Sequence, residues 1–200
     1  MSKEEEKIIF DDEKHEYTAR GIKLPSVTQI LAAVGMYKGL ENIPQHILDV
    51  AAERGKTIHT IIEYHLNGEL DESSIDPELM GYYQAYLACR ADHPEIFDNL
   101  TFTEKTVYSK KYGYCGRVDA GGDRIMIDFK TTAQESPVTA LQLSAYWMSE
   151  HEDYLHDKPD ILAGLYLHAD GTYNLVKCVY QPLIWLNCVA IHNWQKKNGI

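Results

Sequence analysis

The chain has 200 residues, of which 44% are hydrophobic and 24% charged, and its formal net charge is −11. These values are ordinary for a water-soluble globular protein with one domain spanning 1–200. A membrane-spanning chain is excluded because no apolar run approaches the length of a bilayer span. The acidic segment 1–7 has no signal-peptide core, so we expect a cytoplasmic protein of a bacterial or phage-infected cell.

The negative charge bears directly on nucleic acid as a partner. Affinity for DNA comes largely from Lys and Arg at phosphates, so an acidic chain is expected to bind it weakly and with strong salt dependence. The segment 101–131 has the opposite balance, with six basic and four acidic residues, and a bound metal ion would add positive charge there. The charge therefore does not exclude a DNA-binding enzyme.

The first predicted elements are a hairpin and a short helix. Strands are predicted at 8–10 and 17–19, around turn residues at 11–13. Ser26 is a suitable N-cap for a helix that runs to residue 34, and Gly35 would end it.

A long helix predicted over 44–66 carries the first candidate site residue. Four apolar residues recur at helical spacing and would face the core: Ile58, Ile61, Ile62 and Leu66. His59 lies at the border of that stripe, and Glu63, one turn further on, could orient its ring toward a metal ion. A lone histidine on a helix is more often structural, so His59 needs support from other residues.

The next helix, predicted over 76–92, leaves two interpretations open. Tyr82, Tyr83 and Tyr86 recur at helical spacing, which is more often typical of core packing. If exposed, they would stack on the bases of a single strand, at about 1–3 kcal/mol per base. Packing is the favoured interpretation.

The strongest signal lies in the last two of three strands predicted near 100–108, 113–120 and 124–130. If Asp123 and Arg124 form a two-residue loop, Gly122 faces Ile125 and, counting outward, Asp119 faces Asp128. Directly opposed residues have Cβ atoms about 4.5–5.5 Å apart. A turn slipped by one residue would send one acid to the other face of the sheet.

These acids form a candidate metal site. Two opposed carboxylates can bind one Mg²⁺ at about 2.0–2.1 Å, and Lys130 returns to the face of Asp128 because strand residues alternate. The commoner alternative is a surface hairpin with its acids and lysine in water. A helix predicted over 138–150 adds Gln142 and Tyr146 on one face, where they could position a phosphate or a water, or simply pack.

Two strands, at 161–168 and 173–180, and a helix over 182–197 complete the predicted order. The αβββαβ arrangement indicates a mixed α/β sheet flanked by helices. None of the four cysteines forms a Cys-x-x-Cys pair, which favours buried free thiols over a zinc site: Cys89, Cys115, Cys178 and Cys188.

Taken in order, four motifs resemble the RecB-like branch of the PD-(D/E)XK nucleases. They read Gly55…His59, Gly116-Arg117-Val118-Asp119, Asp128-Phe129-Lys130-Thr131 and Gln142…Tyr146. The segment 24–31 is also similar to one in small phage exonucleases and in the mitochondrial genome-maintenance exonuclease. The resemblance covers about 24–147 and implies a restriction-endonuclease-like αβββαβ core with extra N-terminal helices.

The resemblance also implies roles for individual residues. Mg²⁺ or Mn²⁺ would be bound by Asp119, Asp128, the main-chain carbonyl of Phe129 and His59. Apart from the resemblance, Glu104 on the strand before the hairpin could join a second metal shell or simply be exposed to solvent. Lys130, Gln142 and Tyr146 would join the two acids in catalysis. A third group is expected to contact DNA: Arg54, Gly55, Ser26, Thr28, Arg117 and Thr131. The cysteine spacing does not match relatives that carry an iron–sulfur cluster.

The expected function is a metal-dependent deoxyribonuclease, an exonuclease acting on DNA ends or single strands in recombination, repair or phage DNA processing. Its expected partners are DNA and either further copies of the chain or a recombination or replication protein. Alternatives are a structure-specific or RNA-directed endonuclease of the same fold, a catalytically silent DNA-end-binding module and, more distantly, a hydrolase of small molecules.

Overall fold

The computed structural model describes residues 8–11, 16–19, 21–37, 43–152 and 156–200. A small antiparallel sheet comes first, with β1 (Ile8–Asp11), β2 (Glu16–Ala19) and β3 (Ile22–Leu24) in that order. The predicted hairpin is confirmed, with Ile8 opposite Ala19, although residues 12 and 13 of its turn lie outside the described residues. Strand β3 was not predicted, because three residues are too few to show alternation.

Helix α1 (Val27–Ala33) begins where the sequence predicts. Ser26 Oγ accepts a hydrogen bond from the Gln29 amide at 3.1 Å, and Gln29 Oε1 accepts one from the Ser26 amide at 2.9 Å. This reciprocal pair is a capping box, which satisfies two main-chain donors at the helix start. The helix ends before Gly35, whose φ of +75° suits glycine.

Helix α2 (Gln45–Asn67) confirms the predicted long helix and buries Ile58, Ile61 and Ile62. The next helix starts later than predicted, as α3 (Met80–Asp92). The reason is an Asx turn in which Asp76 Oδ1 accepts a hydrogen bond from the Glu78 amide at 2.9 Å, so the chain turns before the helix can begin.

Two short elements flank α3, a 3₁₀ turn at Glu72–Ser74 and α4 (Pro94–Phe97). The tyrosines of α3 pack in the core, since Tyr82, Tyr83 and Tyr86 are 9%, 1% and 0% exposed. The interpretation that Tyr83 and Tyr86 stack on bases is therefore wrong, and the interpretation that they pack in the core is confirmed.

The main sheet is mixed, with five strands in the order β4-β5-β6-β7-β8. Strands β6 and β7 are parallel and the other pairs are antiparallel. Helix α5 (Val138–Glu150) links the parallel pair, and α6 (Pro182–Asn198) follows the sheet. The strands are β4 (Phe102–Ser109), β5 (Tyr114–Gly121), β6 (Ile125–Lys130), β7 (Ile161–Leu167) and β8 (Tyr173–Lys177).

This mixed α+β architecture confirms the predicted fold class. Strand β8 ends three residues before the predicted 180. Two hydrophobic clusters cover the sheet, one with α1, α5 and α6 and the other with α2, α3 and α4. Met126 of β6 belongs to the first cluster, and Ile125 and Ile127 belong to the second. Because successive strand residues point to opposite faces, β6 lies between two helical layers.

The register predicted for the β5–β6 hairpin is confirmed. Ala120 pairs with Ile127 and Gly121 with Met126, and the Gly122 amide donates to the Ile125 carbonyl at 2.9 Å. Asp123 and Arg124 therefore form the two-residue loop. Cys89, Cys115 and Cys188 are buried free thiols, and Cys178 is half-buried. No helix among the described residues combines the length and apolarity that crossing a membrane requires.

A substitution at Gly81 tests how closely α3 packs against the turn after β7. A Cβ at Gly81 would lie 1.7 Å from the carbonyl oxygen of Ala169, and main chain cannot yield as a side chain can. We expect Gly81→Ala to lower the free energy of unfolding by about 3 kcal/mol, at the upper end of typical overpacking costs. Urea unfolding followed by circular dichroism measures the change.

Gly55→Ala is the matched control, since it makes the same substitution in another helix. There the nearest atom to a new Cβ would be Thr131 Oγ1, at 3.6 Å, which is ordinary contact. Alanine should stabilise α2 by about 0.5–1 kcal/mol because glycine loses more conformational freedom on folding. Equal effects of the two substitutions would show that α3 does not approach Ala169 as closely as the structure has it.

Candidate metal centre

His59 of α2 lies at the end of β6. Its Nε2 atom is 2.9 Å from the Phe129 carbonyl oxygen, and its Nδ1 atom is 3.5 Å from Asp119 Oδ1 and 3.8 Å from Glu104 Oε1. The carboxylates within 4 Å of His59 in the described part of the chain are therefore Glu104 and Asp119. Glu63, expected to orient the ring, is not among them, because the ring points toward the sheet.

Three of these residues form a compact ligand group. His59, Glu104 and Asp119 each offer one nitrogen or oxygen, and these atoms all lie within 4.8 Å of one another. Asp119 is fixed by its other oxygen, Oδ2, which accepts a hydrogen bond from the Phe129 amide at 2.7 Å. The hairpin therefore holds Asp119 against the strand that carries Asp128.

Asp128 lies outside that 4.8 Å group and is 1% exposed. Its Oδ2 atom is 2.5 Å from Nζ of Lys130, as an ion pair, and neither Oδ2 nor the buried Oδ1 accepts a hydrogen bond of good geometry from the described residues. A buried carboxylate oxygen without a donor is costly, and a cation would supply the missing partner. The Oδ1 atom is the structural reason to expect a metal ion here.

Lys130, Gln142 and Tyr146 form a hydrogen-bonded chain beside Asp128. Lys130 Nζ donates to Gln142 Oε1 at 3.3 Å, and Gln142 Nε2 donates to the Tyr146 hydroxyl at 2.9 Å. An ammonium group can only donate, so it fixes which end of the amide faces it. The predicted pairing of Gln142 and Tyr146 on one helix face is confirmed.

Gly116 makes room for the Tyr146 ring. A Cβ at Gly116 would lie 2.4 Å from Tyr146 Cε1, so no larger residue fits while the ring stays in place. The glycine of Gly-Arg-x-Asp and the tyrosine of Gln-x-x-x-Tyr therefore belong to one packing contact. Sequence spacing gives no signal for this contact, since the two residues are on separate elements.

Electrostatics favour bound protons when metal is absent. Burial alone would lower the pKa of His59, but Asp119 and Glu104 outweigh it and raise that pKa to about 9. Burial also opposes the charge of Lys130, yet Asp128 and Asp119 raise its pKa above the ordinary value. Burial raises the pKa of Asp119, although the nearby His59 charge opposes the shift. The imidazole and the amine are therefore both charged at neutral pH.

A groove of about 660 Å³ opens beside this group. Ser26, Thr28 and Arg117, all expected to contact DNA, line it together with His59 and Glu104. Five further lining residues were missed by the sequence reasoning: Tyr17, Gln29, Lys56, Thr60 and Tyr64. Lys56 lies three residues before His59 and so shares a helix face with it, a signal that could have found this residue.

Arg54, Gly55 and Thr131 lie elsewhere. Arg54 Nη2 donates to the Thr131 carbonyl at 3.3 Å, and its guanidinium is 5.5 Å from the centroid of the Tyr82 ring. Thr131 and Tyr82 line a different cavity, of about 390 Å³. These contacts hold α2 against the end of β6, and DNA binding by the three residues stays a prediction.

No protein-family model and no curated protein matches this chain. Among solved structures, it is similar to LHK-Exo in complex with dAMP, with 11% identity, a TM-score of 0.45, and coverage of 88% of this chain and 89% of that one. It is also similar to the "Putative exonuclease" from Eubacterium rectale, with 13% identity, a TM-score of 0.38 and coverage of 68% and 73%. Likenesses this distant do not decide an activity.

Proposed function

We propose that the chain is a metal-dependent deoxyribonuclease, an exonuclease that hydrolyses phosphodiester bonds at DNA ends or in single strands. The observation that carries the proposal is Asp128, whose buried Oδ1 atom accepts no hydrogen bond from the described residues while Oδ2 contacts Lys130. The resemblance of the four motifs to PD-(D/E)XK nucleases supports the same chemistry. A surface hairpin would have left these side chains in water.

The donor set fits Mg²⁺ or Mn²⁺. Carboxylate and carbonyl oxygens are the ligands that these hard cations prefer, and an imidazole is also compatible with Mn²⁺. The residues that would hold the ion are His59, Glu104, Asp119, Asp128 and the main-chain carbonyl of Phe129. When bound, such an ion polarises a phosphoryl oxygen and lowers the pKa of a coordinated water.

The neighbouring residues then have separate tasks. The Lys130 ammonium would orient the attacking water and offset negative charge that develops on the phosphate. Gln142 holds Lys130, and Tyr146 holds Gln142, so the two helix residues fix where the ammonium points. Ser26 and Thr28, on the groove wall, offer hydroxyls to the phosphates of a bound strand.

In the direct test, purified protein is incubated with Mn²⁺ and one of three DNA substrates. These are an end-labelled single strand, an end-labelled duplex and a covalently closed circle. Mononucleotides or short products from linear DNA, and none after EDTA is added, would support the proposal. Long internal fragments from circles would support the endonuclease alternative instead. Binding without cleavage in any metal would favour a silent end-binding module.

Tyr146→Phe should have a modest effect. The substitution keeps the ring that packs on Gly116 and removes only the hydroxyl that accepts from Gln142. One neutral hydrogen bond is worth about 1 kcal/mol, so we expect single-turnover cleavage to slow by about five-fold. Tyr83→Phe is the control, because the Tyr83 hydroxyl also makes one hydrogen bond, to Glu72, which is not among the residues of the centre. It should leave the rate unchanged.

Metal binding should release a proton and strengthen with pH. The pKa of His59 in the metal-free protein is about 9, and only a neutral imidazole can bind a metal ion. Lowering the pH therefore keeps the proton on His59 and weakens binding. We expect Mn²⁺ affinity to rise by about ten-fold per pH unit between pH 7 and 8.5.

Calorimetry in buffers with different ionisation enthalpies counts the released protons directly. His93→Gln, which alters a histidine paired with Glu95 on another element, should keep the full pH dependence. An affinity that stays constant across this range would show that His59 is not a ligand.

A further inference from the structure

Glu104 has an unusual backbone for a residue inside a strand. Its φ is +48°, and no other non-glycine residue in the described part of the chain has a positive φ. Side chains rarely adopt this left-handed region, and residues that do so cluster at functional sites. The β4–β5 pairing joins Thr103 to Ala120 and Lys105 to Val118, so Glu104 and Asp119 face each other where the ladder is interrupted.

Arg117 contacts both the main chain and the side chain of Glu104. Its Nε atom donates to the Glu104 carbonyl at 3.2 Å and lies 2.8 Å from Glu104 Oε2. Arg117 is on β5, two residues before Asp119, which makes it a diagonal neighbour of Glu104 across the strand pair. The Nε–H group of Arg117 therefore contacts both the carboxylate of Glu104 and its main-chain carbonyl, at the position where the β4–β5 ladder is interrupted.

The other Glu104 oxygen faces the metal group. Oε1 lies 3.8 Å from His59 Nδ1, and the Glu104 side chain is largely buried. His59 attracts Oε1, but Arg117 also donates to the Glu104 carbonyl, and without that hydrogen bond no other contact described for Glu104 would support its left-handed backbone. A return to ordinary strand geometry would redirect the side chain. The contact with Arg117 is therefore what keeps the carboxylate at the group.

We propose that Arg117 is a positioning residue that holds Glu104 in this conformation and thereby sets the affinity of the centre for its metal ion. The inference rests on the proposed metal-dependent function and gives Arg117 a task other than the DNA contact expected from its motif. A guanidinium suits this task because its Nε–H group is held in a fixed plane. The positioning role predicts lost metal affinity, and a phosphate contact predicts lost DNA affinity.

The first measurement is the affinity of the protein for Mn²⁺ in the absence of DNA. It is obtained from the electron paramagnetic resonance signal of the ion that stays unbound. Arg117→Gln should weaken binding by about 10–100-fold, the usual effect of removing a residue that orients a metal ligand. Lys105→Gln is the control, since Lys105 is also 41% exposed and is paired with Glu150. It should bind Mn²⁺ as the unmodified protein does.

A double-mutant cycle shows whether Arg117 acts through Glu104. Glu104→Gln alone should weaken Mn²⁺ binding, and adding Arg117→Gln should weaken it no further, because the two residues share one interaction. In activity assays, Arg117→Gln should lower kcat at limiting Mn²⁺ with KM for DNA unchanged, and excess Mn²⁺ should restore kcat. A merely structural defect would not be restored in this way.

The second measurement is the salt dependence of single-strand binding, made without metal in an Asp128→Asn background. A residue that contacts a phosphate contributes about 0.7 to the slope of log affinity against log salt concentration. We expect Arg117→Gln to leave that slope unchanged. A slope reduced by this amount, with Mn²⁺ affinity intact, would overturn the proposal and make Arg117 a DNA contact.

The two possible failures can be told apart. If the unmodified protein binds no Mn²⁺, the proposed function fails. If it binds Mn²⁺ and Arg117→Gln binds equally well, only the role of Arg117 fails. Should Arg117→Gln be unfolded by circular dichroism, Arg117→Lys takes its place, because lysine keeps the charge but lacks Nε. It should still bind Mn²⁺ at least several-fold more weakly, and unchanged binding overturns the proposal.

Discussion

Asp128→Asn should lower the single-turnover rate of DNA cleavage by about 10³-fold or more. The substitution replaces a proposed metal ligand with a neutral group of the same shape, and metal-ion catalysis supplies several kcal/mol of transition-state stabilisation. Each factor of ten corresponds to about 1.4 kcal/mol. The asparagine side chain keeps the shape of Asp128 and offers Lys130 an oxygen in the same place, so the protein should remain folded, with a circular dichroism spectrum like that of the parent.

Asp123→Asn is the matched control for this variant. Asp123 is on the same hairpin, in its two-residue loop, and is exposed. The same charge is removed five residues before Asp128, yet no contact to the metal group is lost, so cleavage should be unchanged. Near-normal cleavage by Asp128→Asn would move the active site elsewhere in the molecule.

Lys130→Met should produce the second large loss. Methionine preserves the length of the side chain and removes the ammonium that contacts Asp128 and Gln142. Removing one group that stabilises charge developing in the transition state typically costs about 10²–10³-fold, so we expect a loss of at least 10²-fold, well beyond that for Tyr146→Phe. Single-turnover cleavage at saturating Mn²⁺ measures it. Equal rates for the two variants would remove Lys130 from the proposed chemistry.

The same variant should have a distinct effect on stability. Removing one member of a buried ion pair leaves the other charge uncompensated, at a cost of about 3–5 kcal/mol. Metal-free Lys130→Met should therefore unfold at lower urea concentration, and Mn²⁺ should recover part of the loss by supplying a cation to Asp128. Lys177→Met, which replaces an exposed lysine at the end of β8, should show neither the loss of stability nor the recovery.

Together these variants separate the alternatives. A catalytically silent DNA-end-binding module would bind DNA without cleaving it, and its DNA affinity would not change when Asp128 or Lys130 is replaced. An endonuclease of the same fold would lose cleavage of circles in parallel with cleavage of linear DNA. A hydrolase of small molecules would show no DNA cleavage before any substitution.

Short-range chemistry made much of the fold predictable. The loop at Asp123–Arg124 fixed the register of β5 and β6, because a two-residue turn allows one pairing. Ser26 marked the start of α1, since an N-cap side chain bonds to main-chain amides two or three residues further on. Gln142 and Tyr146 were found together because a helix brings residues four apart onto one face. Each of these features is decided within a few residues of chain.

The assembly of the centre depended on contacts that no local spacing encodes. The His59 ring meets the Phe129 carbonyl because α2 packs across the sheet, and that packing also determined that Glu104 and Asp119, rather than Glu63, lie beside the ring. The start of α3 was misplaced because an Asx turn at Asp76 competed with the helix.

The sequence by itself therefore determined which side chains the β5–β6 hairpin and α5 present, since alternation and helical periodicity are local properties of the backbone. Only the tertiary structure decided which of them meet. The left-handed backbone of Glu104, its contact with Arg117 and the fit of Tyr146 over Gly116 arise where separate elements pack. Packing energies among distant residues can outweigh a local backbone preference, and sequence spacing does not report them.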